Sequence, residues 1–167
     1  MTARARTPPD PGPRVALAAG LAMLSRRELS ASQLRARLRR KGFSSASIDA
    51  ALADLTASGA LDDRRAAGAR ARHDLAIHRL GRARVLRQVR ALGVDDETAR
   101  EAVTAAFAEV DEDRMLADAL ARRLKGKAVP SDARDLRRLQ AWLLRQGFEP
   151  DAVRRVLRGS GAPDLEP

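Results

Sequence analysis

The segment LRARLRRKGFSSASIDAAL, residues 34–52, carries the pattern that decides the fold. Its apolar residues recur at helical spacing before Gly42 and again after it. Glycine readily takes the left-handed conformation that ends a helix, and the serines that follow can cap the start of another helix. The segment therefore predicts a helix, a glycine turn and a second helix.

The same pattern occurs twice more, as VLRQVRALGVDDETAREAV at residues 85–103 and LQAWLLRQGFEPDAVRRVL at residues 139–157. The corresponding glycines are Gly93 and Gly147, which lie 51 and then 54 residues further along the chain. A further helical stretch precedes each segment, at about 15–25, 63–80 and 111–126. Regular spacing of this kind is typical of repeat proteins, whose units stack to complete a core.

We therefore predict an all-α fold, an elongated curved array of three tandem three-helix repeats with about nine helices. Four of the eight prolines fall in the first fourteen residues, which favours a disordered start. The predicted division is an N-terminal tail at 1–14, repeats at 15–61, 62–108 and 109–158, and a C-terminal tail at 159–167.

Composition excludes several classes of protein. The chain has 167 residues with no Cys, no Tyr, three Phe and one Trp, and 34 of its residues are Ala. Without cysteine there is no disulfide scaffold, thiolate metal site or cysteine nucleophile. Few aromatic and β-branched residues argue against a β-rich fold. The apolar run VALAAGLAML at residues 15–24 is too short to span a bilayer, so we expect a buried helix in a cytoplasmic protein with no membrane partner.

The sequence offers no convincing catalytic or cofactor site. No phosphate-binding glycine loop is present. His73 and His78 are five positions apart, so on a continuous helix they are expected to point away from each other. The adjacent carboxylates Asp62 and Asp63 precede a predicted helix, where capping is the simpler interpretation. We expect no enzyme activity, no cofactor and no bound metal.

The charge balance predicts an acidic or polyanionic partner. Lys and Arg total 32 against 22 Asp and Glu, a net charge of +10. The basic residues are 29 Arg and 3 Lys. Selection for bidentate contacts with an anionic partner and a GC-rich genome explain this excess of Arg equally well. Residues 26–41 and 64–90 are strongly basic, whereas residues 93–118 are acidic. Arg65, Arg72 and Arg79 recur every seven residues, which predicts three guanidinium groups on one helix face, either for phosphates and carboxylates or simply solvated.

Three runs, in this order, resemble the RecX regulatory proteins: LSRRELSASQLRARLRRKGF at 24–43, LTASGALDDRR at 55–65 and LGRARVLRQVRALGV at 80–94. The third repeat, with LLRQGFEPDAV, is similar to the family as well, so the resemblance covers about residues 15–158. One departure is Ala66, where the family usually has Phe. The in-register residues are Leu24, Ser25, Arg27, Glu28, Ser30, Leu34, Leu38, Leu61, Asp62, Asp63 and Arg65.

The resemblance implies a nine-helix, three-repeat modulator that binds the RecA recombinase and its filament on single-stranded DNA. Such proteins restrain filament growth, ATP hydrolysis and strand exchange and are not enzymes; we expect a monomer. The alternative is a general nucleic-acid-binding helical module that acts through phosphate contacts. DNA itself is a further candidate partner of the regulator. From charge geometry alone we predict that the partner contacts Arg27, Arg65, Arg72 and Arg79. Structural roles are predicted for Glu28 and Asp63 as ion-pair or capping residues.

Overall fold

The computed structural model describes residues 10–161, which form nine α-helices and no strand. This confirms the all-α helical-repeat fold. The helices are α1 Pro13–Leu24, α2 Ala31–Arg40, α3 Ser45–Ala57, α4 Asp63–Ala76, α5 Arg82–Arg90, α6 Asp96–Ala106, α7 Glu112–Leu124, α8 Ala133–Gln146 and α9 Pro150–Gly159. Three helices fall largely within each predicted repeat range, although α1 begins before residue 15 and α9 ends after residue 158. None of the helices within 10–161 is long and apolar enough to cross a membrane.

Local sequence signals account for most helix ends. The residue before each of six helices accepts a hydrogen bond from a backbone N–H of the first turn, which satisfies a group that the helix itself leaves open. These capping residues are Ser30, Ser44, Asp62, Asp95, Asp111 and Asp132. Gly42, Gly93 and Gly147 have φ angles of +90°, +76° and +96°, the left-handed conformation that the pattern predicts at the repeated turns.

Within each group of three, the first and second helices pack on the third. In the first group α1 approaches α3 closely because Gly20 has no side chain; a Cβ there would lie 2.7 Å from Leu55 Cδ1. One apolar core belongs to this group alone, from Ala16 to Leu61. A second core runs from Ala67 to Leu157, so the second and third groups share it. We call the three groups units one, two and three.

The middle helices of the three units meet end to end. The backbone N–H groups of Gly81 and Ala83, at the start of α5, donate to the carbonyls of Gln146 and Gly147, at the end of α8. Ser30 Oγ, at the start of α2, donates to the carbonyl of Leu92, just beyond α5. Open N–H groups of α5 thus pair with open carbonyls at the end of α8, whereas at the start of α2 a serine hydroxyl is the donor. We call the line α8–α5–α2 the spine.

Two predicted boundaries are wrong. Helix α1 begins at Pro13, inside the predicted tail, and Asp10 is held to α3 by the hydroxyls of Ser44 and Ser47, the latter at 2.6 Å. These hydrogen bonds lower the pKa of Asp10 to about 2. Helix α4 ends at Ala76 instead of residue 80, and Arg79 has a φ of +48°. The parts of the predicted tails at 1–9 and 162–167 lie outside the described residues.

Candidate nucleic-acid and protein interface

The predicted arginine stripe is not a feature of the folded chain. Arg65 and Arg72 lie on α4, but Arg79 lies in the left-handed turn beyond it. The turn forms because the N–H groups of Arg79 and Leu80 donate to carbonyls of the last helical turn. Arg79 instead reaches α7, where its guanidinium lies 3.8 Å from a carboxylate oxygen of Asp118. The three guanidinium groups therefore do not share one helix face.

The Arg65 side chain binds other residues of the same chain. Its Nε donates to Glu28 Oε1 at 2.6 Å, and its terminal nitrogens donate to the carbonyls of Gly59 and Ala60 at 3.1 and 2.9 Å. The hydrogen bond to Glu28 raises the pKa of Arg65. The guanidinium thus fastens the α1–α2 connection to the α3–α4 connection. This geometry makes Arg65 a structural residue and gives Glu28 the predicted ion-pair role.

Replacing Arg65 with lysine is expected to lower the free energy of unfolding, because a single ammonium group cannot reach the three acceptors that the guanidinium contacts. Both side chains of the ion pair are more than a third exposed, which limits the Coulomb part of the loss. Chemical denaturation of Arg65→Lys, with Arg64→Lys as the control, measures this effect. Arg64 has only a 3.7 Å contact with Glu101, so an equal loss in both variants would contradict this structural role of Arg65.

The paired aspartates cap two different helices. Asp62 accepts from Arg65 N at 3.0 Å and caps α4, as the sequence predicts. Asp63 accepts from Ala31 N at 2.7 Å and so caps α2, the middle helix of unit one. The sequence did not indicate this second role because the partner is 32 residues away. Together with Ser30, Asp63 fixes the joint between units one and two.

The acidic segment at 93–118 is partly neutralised in the folded chain. Five of its nine carboxylates form ion pairs with arginines that lie outside the segment. The charge segregation seen along the sequence is therefore weaker in space. The pairs are Arg64–Glu101, Arg79–Asp118, Arg82–Glu112, Arg90–Asp96 and Arg155–Asp113.

Unit one carries basic groups that are not neutralised. Between α1 and α2 lies a cleft of about 370 Å³ whose apolar surface comes from α1. We call it the basic cleft; it is lined by Ala19, Ala22, Met23, Arg26, Arg27, Arg37 and Lys41. No acidic residue lines it. Within the described part of the chain, its four cationic side chains form no ion pair or side-chain hydrogen bond.

The basic cleft contains one of the four predicted contact residues, Arg27. Arg72 is also exposed and unpaired among residues 10–161, but it lies on α4 in unit two. Sequence reasoning missed Arg26, Arg37 and Lys41, although the density of basic residues at 26–41 was a usable signal. Four unpaired cations around an apolar surface can hold phosphates or carboxylates. Phosphate contacts of this kind carry no base-sequence information.

The single tryptophan contributes to packing. Trp142 is half-buried against the shared core, and the Arg123 guanidinium lies 5.3 Å from its ring centroid. Ala66, which stands where the resemblance expects Phe, is 4% exposed, so the position is buried despite its small side chain.

The fold and the basic cleft define a class of protein: a three-unit helical repeat with a cationic surface suited to docking. Comparison with known proteins gives the family. Residues 16–55 match the model of the RecX first three-helix domain, and residues 111–157 match that of the RecX third three-helix domain. The chain belongs to the RecX family of regulatory proteins.

Individual relatives agree with this assignment. The chain is 35% identical over 134 residues to "Regulatory protein RecX" of Syntrophotalea carbinolica, covering 80% of this chain and 88% of that one. It is 33% identical over 143 residues to the protein of the same name from Chromobacterium violaceum, covering 86% and 89%. The crystal structure of RecX from Lactobacillus salivarius matches with a TM-score of 0.68 at 18% identity, covering 89% of this chain and 96% of that one. Another RecX crystal structure gives a TM-score of 0.72 at 21% identity, covering 87% and 71%. These structural likenesses concern the fold.

Proposed function

We propose that this chain is a non-catalytic regulator of the RecA recombinase. In this proposal it binds RecA and its filament on single-stranded DNA, and it restrains filament growth, ATP hydrolysis and strand exchange. It acts as a cytoplasmic monomer and needs no cofactor. The proposal rests on the family, whose relatives are named regulatory proteins, and on the basic cleft.

The basic cleft is the observation that carries the proposed mode of action. A RecA filament on DNA presents phosphates, and proteins present carboxylates, so a cluster of unpaired cations favours docking to either. Arg27, Arg26 and Arg37 are the proposed contacts, with Lys41 at the end of α2. Arg65 and Arg79 are not retained as proposed contacts, because Arg65 binds Glu28 within the chain and Arg79 lies 3.8 Å from the Asp118 carboxylate in a turn off the helix face.

A general nucleic-acid-binding module is the second candidate, favoured by the net charge of +10. The two candidate functions differ in their dependence on DNA, salt and RecA. A protein held only by phosphates binds bare DNA and weakens steeply as salt rises. A filament regulator acts at low ratios to RecA even when its own affinity for DNA is small.

The deciding experiment is a titration of this protein into RecA that hydrolyses ATP on single-stranded DNA at moderate salt. Strong inhibition well below one protein per RecA is expected for the regulator. A parallel fluorescence-anisotropy titration with the same DNA, without RecA, shows when the DNA is saturated. Inhibition that begins only at DNA saturation would instead identify competition for phosphates, and the general module would replace the regulator.

A further inference from the structure

The end of α4 brings together both histidines of the chain and a buried aspartate. The rings of His73 and His78 meet edge to face with centroids 5.3 Å apart. The expectation that they point away from each other is wrong, because the helix ends at Ala76 and the following turn carries His78 back. One ligand atom from each of His73, Asp74 and His78 lies within 4.8 Å of the other two.

The carboxylate of Asp74 is held in place by a second layer of contacts. Asp74 is 1% exposed, and its Oδ2 accepts from Arg70 Nε at 2.7 Å. Arg70 in turn donates to Gln88 Oε1 on α5 at 2.8 Å. This chain of hydrogen bonds fixes the orientation of the Asp74 carboxylate beside the two imidazoles. Oriented carboxylates supported in this way are common around metal ions in proteins.

The geometry points to a site for a divalent transition metal, such as Zn²⁺, Co²⁺ or Ni²⁺, with His73, His78 and Asp74 as the three protein ligands. Imidazole nitrogens favour these ions over Ca²⁺ and Mg²⁺, which prefer oxygen ligands. Both imidazoles are exposed and form no hydrogen bond with another described residue. Their rings are therefore able to rotate around an ion, and water fills the remaining coordination positions.

The surroundings set the expected strength and the consequence of binding. The site lies at the carboxyl end of α4, where the helix dipole favours a cation. The nearby Arg70 charge opposes it, so we expect micromolar instead of nanomolar affinity. A bound ion would fasten the end of α4 to the turn that contains Arg79, the residue paired with Asp118 of unit three. This inference is independent of the proposed function.

The test uses the full chain without a histidine tag. Isothermal titration with ZnCl₂ at pH 7.5 is expected to give saturable binding of one ion per chain, and MgCl₂ is expected to give none. Because the chain has only two histidines, its NMR spectrum contains two imidazole Cε1–H signals. Both signals are expected to shift when Zn²⁺ is added. Binding without movement of both signals would overturn the site.

Variants separate this site from adventitious binding to acidic groups. His73→Gln and His78→Gln are each expected to weaken Zn²⁺ binding at least about tenfold. Asp113→Asn, which removes a carboxylate on α7 that pairs with Arg155, is the control and is expected to bind Zn²⁺ as the parent does. Both histidines are exposed, so neither variant depends on a change in the core. Equal affinity in the parent and both histidine variants would refute the proposal.

Discussion

Gly147→Ala is expected to destabilise the protein by about 4 kcal/mol, a large loss for a change of one methyl group. A Cβ at this position would lie 2.3 Å from Arg84 N and 2.7 Å from Gly81 O, and both are backbone atoms that cannot rotate away. The backbone φ of +96° adds strain for any side chain. The joint between α8 and α5 must therefore open, and the hydrogen bonds of Gly81 and Ala83 are lost with it.

Gly42→Ala provides the matched control for this prediction. Gly42 has a similar φ of +90° at the end of the same kind of helix, but nothing lies within 4 Å of an added Cβ. Its loss is expected to be about 1–2 kcal/mol, the cost of the left-handed conformation alone. Urea denaturation is followed by circular dichroism and by the fluorescence of Trp142, the only tryptophan, in unit three. Equal losses in the two variants would contradict a close joint at Gly147.

The contrast between these glycines also marks how far the sequence predicts the fold. Helical spacing around Gly42, Gly93 and Gly147 identified the turn at the end of each middle helix, because this information lies within a few residues. The periodicity did not indicate what each turn meets in space. An added Cβ at Gly147 would meet the backbone of Gly81, whereas an added Cβ at Gly42 would meet nothing within 4 Å, and the local sequences do not distinguish the two positions.

Gly81 is a local sequence signal of contact between two units. Ser30 and Asp132 occupy the position before α2 and α8, where their side chains cap the helix. Before α5 the chain has Gly81, which has no capping side chain. Its helix is completed instead by carbonyls of α8, and a Cβ there would lie 2.4 Å from the Gly147 carbonyl. A glycine where a cap is expected thus indicated close backbone contact with another unit.

The candidate interface was less predictable than the fold, for a physical reason. Spacing shows which arginines share a helix face only if the helix continues, and α4 stops before Arg79. Spacing also does not show which guanidinium groups find carboxylates. Arg65 and Arg27 look equivalent in sequence, yet Arg65 binds Glu28 and two carbonyls, whereas Arg27 lines the basic cleft. Glu28 lies 37 residues from Arg65 in the sequence, and this distant ion pair is the reason why the Arg65 charge is not available to a partner.

Neutralising the basic cleft is expected to have the largest effect on binding. The test is the triple variant Arg26→Gln, Arg27→Gln and Arg37→Gln. The plot of log affinity for single-stranded DNA against log salt concentration is expected to become less steep by about 2, because each phosphate contact contributes about 0.7 to the slope. Inhibition of RecA ATP hydrolysis is expected to require at least about tenfold more protein. None of the three side chains pairs with another described residue, so stability is expected to change by less than about 1 kcal/mol.

The control for this variant removes the same charge from elsewhere. Arg90→Gln, Arg100→Gln and Arg154→Gln also lower the net charge by three, but each of these arginines is paired with an aspartate. If docking depends on the basic cleft, the control keeps the salt slope and the inhibition of the parent protein. The cleft variant then has the smaller salt slope and the weaker inhibition. If overall charge alone attracts the partner, the two variants weaken equally and the basic cleft has no special role. Because the two variants have equal net charge, a difference in inhibition between them reflects where the charges lie and whether they are paired, and it locates the contact on unit one.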